Sequence, residues 1–204
     1  MIESPTTDEF TEYFDVLPVY YPDRHGWAFS TRRELYALNQ VVPPSGMVLE
    51  VGSASGVTMS KLAEAKPNSR FYSIDLFIPP EHVADVDKLK CPDGNHEDRI
   101  LNWHKNRRHN QALWLGSLQQ FHQLVKRQFD VIFVDAGHMY DEVYPDLVLV
   151  DTLLAENGWL VAHDYNDPNW KQVTEAVDRF CADRKFTIQH TVGSMAFMKR
   201  RGGL

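Results

Sequence analysis

Ionisable and hydroxyl side chains recur in this sequence at or directly after the ends of short apolar runs. The set consists of Glu50, Asp75, Ser117, Asp135, His138, His163 and Asp164. Carboxylates accept hydrogen bonds and bind metal ions, and a neutral imidazole takes up a proton near neutral pH. Apolar runs of this kind are typical of buried parallel strands, whose carboxyl ends meet along one edge of a sheet. We therefore expect these side chains to surround one ligand site.

The first apolar run, residues 48–51, leads into a turn that contains Gly52 and Gly56 and then into an expected helix over residues 57–66. The G-x-x-x-G spacing differs from the G-x-G-x-x-G of dinucleotide sites, because Ala54 stands where the second glycine would be. A phosphate-binding loop would end in Gly-Lys-Ser/Thr, and that ending is absent here. The turn therefore matches neither of these two phosphate-binding patterns.

The residues beside this turn require a partner for Glu50 and a cap for the following helix. Glu50 is unusual in an apolar strand, and its burial requires a polar partner. The helix that follows needs a residue to cap its first turn, and we expect Ser55 or Thr58 to do so.

The composition is that of an ordinary globular domain. Of 204 residues, 21 are Lys or Arg and 28 are Asp or Glu, which gives a formal net charge of −7 and argues against a nucleic-acid partner. The two cysteines, Cys91 and Cys181, are too few for a disulfide framework or a thiolate metal cage. No apolar run reaches membrane-spanning length, and the amino terminus lacks a secretory pattern. These features predict a cytoplasmic protein with one domain over residues 1–204 and no membrane partner.

Strand and helix patterns alternate along most of the chain. Apolar runs predict strands at residues 48–51, 71–75, 112–115, 129–135 and 159–162, and a closing antiparallel pair at residues 186–188 and 195–198. Helical spacing predicts helices at residues 31–39, 57–66, 96–108, 118–127, 140–155 and 168–182. This alternation favours an open, mainly parallel sheet with helices on both faces.

Two segments fall outside the alternation. Residues 1–45 are expected to form an amino-terminal arm or cap, with a short helix near residues 8–13, and residues 76–110 an insertion or lid. Both segments are candidates for shaping the pocket of an acceptor substrate. The aromatic residues of the arm also offer a surface for homodimer formation.

The most specific signal is the stretch 129–143, which reads Phe-Asp-Val-Ile-Phe-Val-Asp-Ala-Gly-His-Met-Tyr-Asp-Glu-Val, with His163 and Asp164 after a later apolar run. Together with Glu50 and the glycine turn, this order of motifs resembles the class I S-adenosylmethionine-dependent methyltransferases. The branch is that of the small catechol-type and antibiotic-tailoring O-methyltransferases, and the resemblance covers roughly residues 46–198. It implies an α/β, Rossmann-like, doubly wound seven-stranded sheet, mostly parallel with a C-terminal antiparallel hairpin. It also implies methyl transfer to a small-molecule substrate, at a hydroxyl oxygen.

By position, the resemblance assigns the residues that bind S-adenosylmethionine. The methionine end would meet Glu50, Gly52, Ser53 and Gly56, the ribose Asp75 with Leu76 beside it, and the adenine Ser117, while Asp135 completes the cofactor-binding set. The residue types alone are compatible with these roles, since a carboxylate after a strand can accept both ribose hydroxyls. Ser117 has an alternative role, because it also suits the cap of the following helix.

Asp135 and Asp164 fall where the metal-dependent members place two ligands of a divalent cation such as Mg²⁺. The third ligand of those members directly follows the second, but here that position is Tyr165, with Asn166 after it. His163 is a candidate replacement. Because neighbouring residues on a strand point to opposite faces, a site that uses both His163 and Asp164 requires the strand to end before them.

Transfer to a hydroxyl requires that the hydroxyl lose its proton. We expect His138 to be the base, because it follows Asp135 at the place where catechol-type enzymes have a lysine, and His163 is the second candidate. Two alternative functions remain compatible with the sequence. One is a non-catalytic partner protein that binds the cofactor, and the other is a metal-independent methyltransferase acting on nitrogen or on a sugar.

Overall fold

The computed structural model describes residues 19–20, 24, 27–28, 30–77 and 96–202. The expected short helix near residues 8–13 and most of the expected lid, residues 78–95, lie outside the described residues. Near the amino terminus, β1 (Val19–Tyr20) pairs antiparallel with β2 (Trp27–Ala28).

The remaining strands form one seven-stranded sheet. They are β3 (Met47–Val51), β4 (Arg70–Asp75), β5 (Gln111–Leu115), β6 (Phe129–Val134), β7 (Leu154–Ala162), β8 (Phe186–Val192) and β9 (Met195–Arg200). Their order is β5-β4-β3-β6-β7-β9-β8. The first five in this order run parallel, β9 is antiparallel to β7, and β8 is antiparallel to β9. The predicted fold, including the reversed hairpin, is confirmed.

Within the residues that the structure describes, six helices accompany the sheet. They are α1 (Arg32–Val41), α2 (Val57–Ala65), α3 (His96–Asn106), α4 (Leu118–Leu124), α5 (Tyr140–Leu153) and α6 (Lys171–Asp183). None of the helices in the described part of the chain has the length and apolarity that crossing a membrane requires.

The sheet has a core on each face, as the alternation of buried side chains along β6 shows. Val131 and Phe133 pack with α1 and α2, and the side chains between and after them, Ile132 and Val134, pack with α4, α5 and α6. Each fully buried large apolar side chain contributes about 1.5–3 kcal/mol relative to exposure. Burial on both faces therefore fixes the register of this strand, whose carboxyl end carries Asp135.

The chain reverses its winding at β3, which lies between β4 and β6. In open parallel sheets, ligands bind outside the carboxyl ends of the strands at such a switch point. The turn after β3 and the turn after β6 therefore lie side by side at the crevice where the sequence predicts a site.

Candidate active site

The turn after β3 can form only because Gly52 carries no side chain. Its φ is +86°, and a Cβ atom there would lie 2.0 Å from the backbone oxygen of Asp135. The Asp135 amide in turn donates to the Val51 oxygen at 2.8 Å. The glycine thus lets the ends of β3 and β6 approach each other closely.

Asp75, at the end of β4, shapes the same turn. Its Oδ2 accepts hydrogen bonds from the amides of Ser53 at 2.7 Å and Ala54 at 2.8 Å, and its Oδ1 accepts from the Phe77 amide at 2.6 Å. A carboxylate has about four acceptor positions in all. Asp75 therefore has about one position left for a ligand, rather than the two that acceptance of both ribose hydroxyls would need.

The buried partner that Glu50 requires is Ser73 on the neighbouring strand. The Ser73 hydroxyl donates to Glu50 Oε2 at 2.7 Å, and Glu50 is only 2% exposed. Burial raises the pKa of Glu50 to about 8; hydrogen bonds from Ser53 and Ser73 oppose this rise, and the charges of Asp135 and Asp75 add to it. At neutral pH this side chain is therefore mostly the neutral acid.

Helix α3 holds the glycine turn from outside. The indole N–H of Trp103 donates to the Ser53 hydroxyl at 3.0 Å, and the Asn106 amide donates to the Ser55 oxygen at 2.8 Å. Gly56 caps α2 with φ +70° and no side-chain hydrogen bond, so the predicted cap by Ser55 or Thr58 is wrong. A Cβ on Gly56 would lie 2.4 Å from the Trp103 ring, which explains the glycine.

A cavity of about 740 Å³ opens at the carboxyl ends of the parallel strands. Of the predicted site residues, Glu50, Gly52, Ser53, Asp75, Leu76, Ser117, Asp135, His138, His163 and Asp164 line it. Gly56 does not, because it faces Trp103 instead. The volume lies within the range of roughly 300–1,000 Å³ that is usual for small-molecule sites. The expected convergence of these side chains is confirmed.

Ser117 serves as the amino-terminal cap of α4. Its hydroxyl accepts from the Gln120 amide at 3.2 Å, while the Gln120 side chain accepts from the Ser117 amide at 3.1 Å. This reciprocal pair is a capping box. The capping role is therefore present, and the residue also borders the cavity.

Asp135, His163 and Asp164 bring one ligand atom each to within 4.8 Å of one another. The joint site arises because β7 ends at Ala162 and Asp164 adopts a left-handed backbone with φ +60°. Both residues therefore reach the same side, whereas two neighbours within a strand would point apart. Tyr165 does not enter the cluster, since its hydroxyl donates to Asp178 at 3.0 Å.

His163 Nδ1 lies between the two carboxylates, 3.3 Å from Asp135 Oδ1 and 3.2 Å from Asp164 Oδ1. It is buried and makes no aligned hydrogen bond with either oxygen. Burial opposes a charge on His163, but Asp135, Asp164 and Glu34 outweigh it and raise its pKa well above the ordinary value. A proton on Nδ1, or a metal ion bound there, would interact with both carboxylates. Two carboxylates and one imidazole nitrogen are a set of ligands that fits a divalent cation.

His138 borders the cavity on the other side of Asp164. Its Nε2 lies 3.1 Å from Asp164 Oδ2, and its ring stacks on Trp170 with the ring centroids 4.0 Å apart. Burial opposes protonation of His138, but Asp164 and then Asp135 raise its pKa overall. Burial acts to raise the pKa of Asp164, and the two histidines lower it overall. Asp164 thus contacts His163 with one oxygen and His138 with the other.

The sequence did not predict several residues that build this site. They are Trp103, Trp170, Arg99 and Glu34. Glu34 stands three residues after Thr31, a spacing that indicates a helix cap, and the structure confirms that capping box. Nothing in that spacing indicates that Glu34 also approaches His163.

Comparison with known proteins places the chain among methyltransferases. A family model described as a methyltransferase domain matches residues 49–165, whereas a comparison with curated proteins gave no match. The structure is similar to that of the O-methyltransferase NovP, with a TM-score of 0.65, 16% identity, and coverage of 85% of this chain and 81% of that one. It is also similar to an O-methyltransferase from Bacillus cereus in complex with SAH, with a TM-score of 0.53, 15% identity, and coverage of 81% and 78%.

A third similar structure is a ribosomal protein L11 methylase from Lactobacillus delbrueckii subsp. bulgaricus, with a TM-score of 0.57, 16% identity, and coverage of 84% of this chain and 78% of that one. At such low identity, these likenesses establish a shared fold. The family is established by the matched residues, which include the glycine turn and both histidines.

Proposed function

The chain belongs to this methyltransferase-domain family, whose model matches more than half of its length, and is therefore a methyltransferase. On that premise, we propose that it transfers the methyl group of S-adenosylmethionine to a hydroxyl oxygen of a small molecule. The reaction would use a divalent cation at Asp135, His163 and Asp164, and His138 as the base.

The observation that carries the proposal is the convergence of two kinds of residue on one cavity. Asp75 and the glycine turn form the end suited to the methyl donor, while Asp135, His138 and Asp164 form an acid–base cluster beside it. Methyl transfer requires donor and acceptor to be held in line at close range. A single cavity that presents both sets of groups supports that arrangement.

The methyl donor would lie along the ends of β3 and β4. Its methionine part would meet Gly52, Ser53 and Glu50, its ribose the remaining acceptor position of Asp75, and its adenine the surface near Leu76 and Ser117. The backbone of the turn is pre-set by Asp75, which accepts from the Ser53 amide, and by Asn106, which donates to the Ser55 oxygen. This pre-organisation reduces the ordering cost of binding.

A cation held by Asp135, His163 and Asp164 would polarise the acceptor hydroxyl and lower its pKa. The orphaned Nδ1 of His163 between two carboxylates supports this assignment. Of the residues after Asp164, Tyr165 is bonded elsewhere through its hydroxyl, to Asp178, and Asn166 does not line the cavity. His163 is therefore the proposed replacement for the ligand that the sequence lacks there.

His138 is better placed than His163 to accept the proton of the acceptor. The side chain of His138 is 21% exposed at the cavity, whereas that of His163 is 6% exposed and has carboxylates at both ring nitrogens. Asp164 and the stacked Trp170 fix the orientation of the His138 ring. A base held in this way within reach of a bound hydroxyl contributes about 10²–10⁴-fold to the rate.

The test is transfer of a labelled methyl group from S-adenosylmethionine to a panel of matched phenols, anilines and sugars. We expect methyl ethers as products and a loss with His138→Gln of about 10²–10⁴ in kcat. His122→Gln is the matched control, because His122 lies on the surface of α4 and bonds to Thr152 of α5, so its replacement should leave the rate unchanged. Methylation of the anilines alone, or full activity of His138→Gln, would contradict the proposal.

A further inference from the structure

We propose that Glu34 is a positioning residue that presents His163 as a nitrogen ligand, so that the centre takes a first-row transition metal in preference to Mg²⁺. The inference rests on the proposed function, since it concerns the cation assigned to Asp135, His163 and Asp164. It adds a residue of α1, outside the matched methyltransferase segment, to that centre.

The two nitrogens of His163 face different surroundings. Nδ1 faces Asp135 and Asp164, whereas Nε2 lies 3.6 Å from Glu34 Oε2 and 3.4 Å from the Ser194 hydroxyl. A metal ion bound at Nδ1 requires the neutral ring to carry its hydrogen on Nε2, and Glu34 and the Ser194 hydroxyl are the acceptors beside that nitrogen. That form leaves the lone pair of Nδ1 directed at the space between the two aspartates, where a metal ligand is needed.

Glu34 is itself held rigidly by two separate parts of the chain. Its Oε2 accepts from the Thr31 amide at 2.7 Å, at the start of α1. Its Oε1 accepts from the Ser194 amide at 2.7 Å and the Ser194 hydroxyl at 2.9 Å, in the turn between β8 and β9. With only 2% of the residue exposed, the carboxylate has little freedom to leave His163.

The turn between β8 and β9 is shaped to admit Glu34. Gly193 has φ +57°, and a Cβ atom there would lie 2.4 Å from Glu34 Oε1. A helix cap needs only the Oε2 contact with Thr31. The second oxygen, the burial and the glycine opposite therefore indicate a role beyond capping.

A nitrogen ligand has a consequence for the choice of metal. Mg²⁺ prefers an octahedral shell of oxygen ligands, whereas imidazole suits metals such as Fe²⁺, Ni²⁺ and Zn²⁺. A carboxylate behind a ligating imidazole fixes the ring and raises its basicity. The pair of Glu34 and His163 therefore favours a transition metal over Mg²⁺ at this centre.

The experiment measures binding of Co²⁺ and Mg²⁺ by calorimetry, on full-length protein dialysed against EDTA and then freed of chelator. We expect Co²⁺ to bind more tightly than Mg²⁺ in the unmodified protein. Glu34→Gln should weaken Co²⁺ binding by about 10–100-fold, as is typical for loss of a residue behind a metal ligand. His163→Asp should remove the preference for Co²⁺ over Mg²⁺.

Thr31→Ala is the matched control. It removes the hydroxyl that accepts from the Glu34 amide at 3.2 Å and so weakens the helix cap, but it keeps the approach of Glu34 to His163. We expect this variant to bind Co²⁺ as the unmodified protein does. Equal weakening by Thr31→Ala and Glu34→Gln would overturn the inference, since it would reduce Glu34 to a structural cap.

A measurement on the unmodified protein avoids dependence on the folding of any variant. The electron spin-echo modulation of bound Mn²⁺ should show coupling to a directly ligated imidazole nitrogen. Absence of that coupling, or equal affinity for Co²⁺ and Mg²⁺, would overturn the inference and leave the proposed methyl transfer standing. If neither cation bound, both the inference and the proposed metal centre would be wrong. An assay of methyl transfer in EDTA would then show whether the protein transfers the methyl group without a metal ion.

Discussion

At the scale of single residues, Asp164 connects the proposed metal centre to the proposed base. One of its oxygens lies 3.2 Å from His163 and the other 3.1 Å from His138. Its left-handed backbone is rare for a residue with a side chain and costs on the order of 1–3 kcal/mol. Ala54 and Asn166 share this backbone feature close by. Such conformations concentrate at functional sites, where the surrounding structure maintains them.

The buried carboxyl of Glu50 predicts a dependence of stability on pH. Its pKa rises from the ordinary 4.5 to about 8 in the folded protein, so its contribution to stability is fully present below pH 4.5 and is lost as the pH rises through 8. Glutamine does not titrate. Between pH 4.5 and 8.5, the unmodified protein should therefore lose on the order of 4 kcal/mol of stability relative to Glu50→Gln.

Urea denaturation of both proteins at several pH values measures this difference. Because both proteins share every other ionisable group, the remaining titrations largely cancel in the comparison. A constant difference in the free energy of unfolding over this range would show that Glu50 does not keep its proton when folded.

The residues that follow apolar strands could be predicted from the sequence, because the signal for each is the apolar run directly before it. Asp75, Asp135 and His163 each follow such a run, and the topology brings them to one edge. Glu34 could not be assigned in this way, since its contact with His163 joins residues far apart in the chain. The spacing from Thr31 to Glu34 predicts a helix cap, and the structure contains that cap. The same spacing gives no sign that Glu34 also positions His163.

At the scale of elements, α3 determines the shape of the glycine turn from outside the sheet. Trp103 is 1% exposed, fills the space beside Gly56 and donates to the Ser53 hydroxyl. The turn is thereby fixed between β4, through Asp75, and α3, through Trp103. A rigid turn supports a binding site better than a flexible loop does.

Trp103→Phe removes the hydrogen bond together with one ring of the indole. It keeps an aromatic ring beside Gly56, and we expect a loss of about 1–3 kcal/mol in the free energy of unfolding, of which the hydrogen bond accounts for about 0.5–1.5 kcal/mol. The binding of S-adenosylhomocysteine should also weaken, because Ser53 lines the cavity. Chemical denaturation and calorimetry measure the two effects.

Trp114→Phe is the matched control, because the indole nitrogen of Trp114 is buried without a hydrogen-bond partner. Its removal should cost less than that of Trp103 and leave ligand binding unchanged. An equal effect of the two substitutions would mean that the bond from Trp103 to Ser53 has no special role.

The boundaries of elements were harder to predict than their order. β7 begins at Leu154, directly after α5, whereas apolar character alone placed its start at Trp159. α6 begins at Lys171 rather than at Pro168, because residues 163–170 form the turns that carry His163 and Asp164. Asp164 and Asn166, two polar residues with left-handed backbones, occupy the second of these stretches, and apolar periodicity carries no information about them.

At the scale of the whole molecule, the sheet order brings distant segments to one crevice. The turns after β3, β4, β5, β6 and β7 all contribute to the cavity, and the turn between β8 and β9 reaches His163 from the side. The doubly wound architecture follows from the alternation of strands and helices, so it was predictable. The identity of the acceptor was not predictable, because residues 1–45 and 76–110, which are expected to shape its pocket, carry no motif that specifies an acceptor.

The central claim is that a sulfonium nucleoside binds at the carboxyl ends of these strands. The most direct test is the ¹H–¹⁵N NMR spectrum of glycine-labelled protein during titration with S-adenosylhomocysteine. Gly52, Gly116 and Gly137 line the cavity, so their amide signals should shift in a saturable manner. Gly46, before β3, and Gly158, in a separate depression with Val41 and Trp159, should stay in place. Shifts at Gly46 and Gly158 alone, or no shift at saturating ligand, would contradict the account.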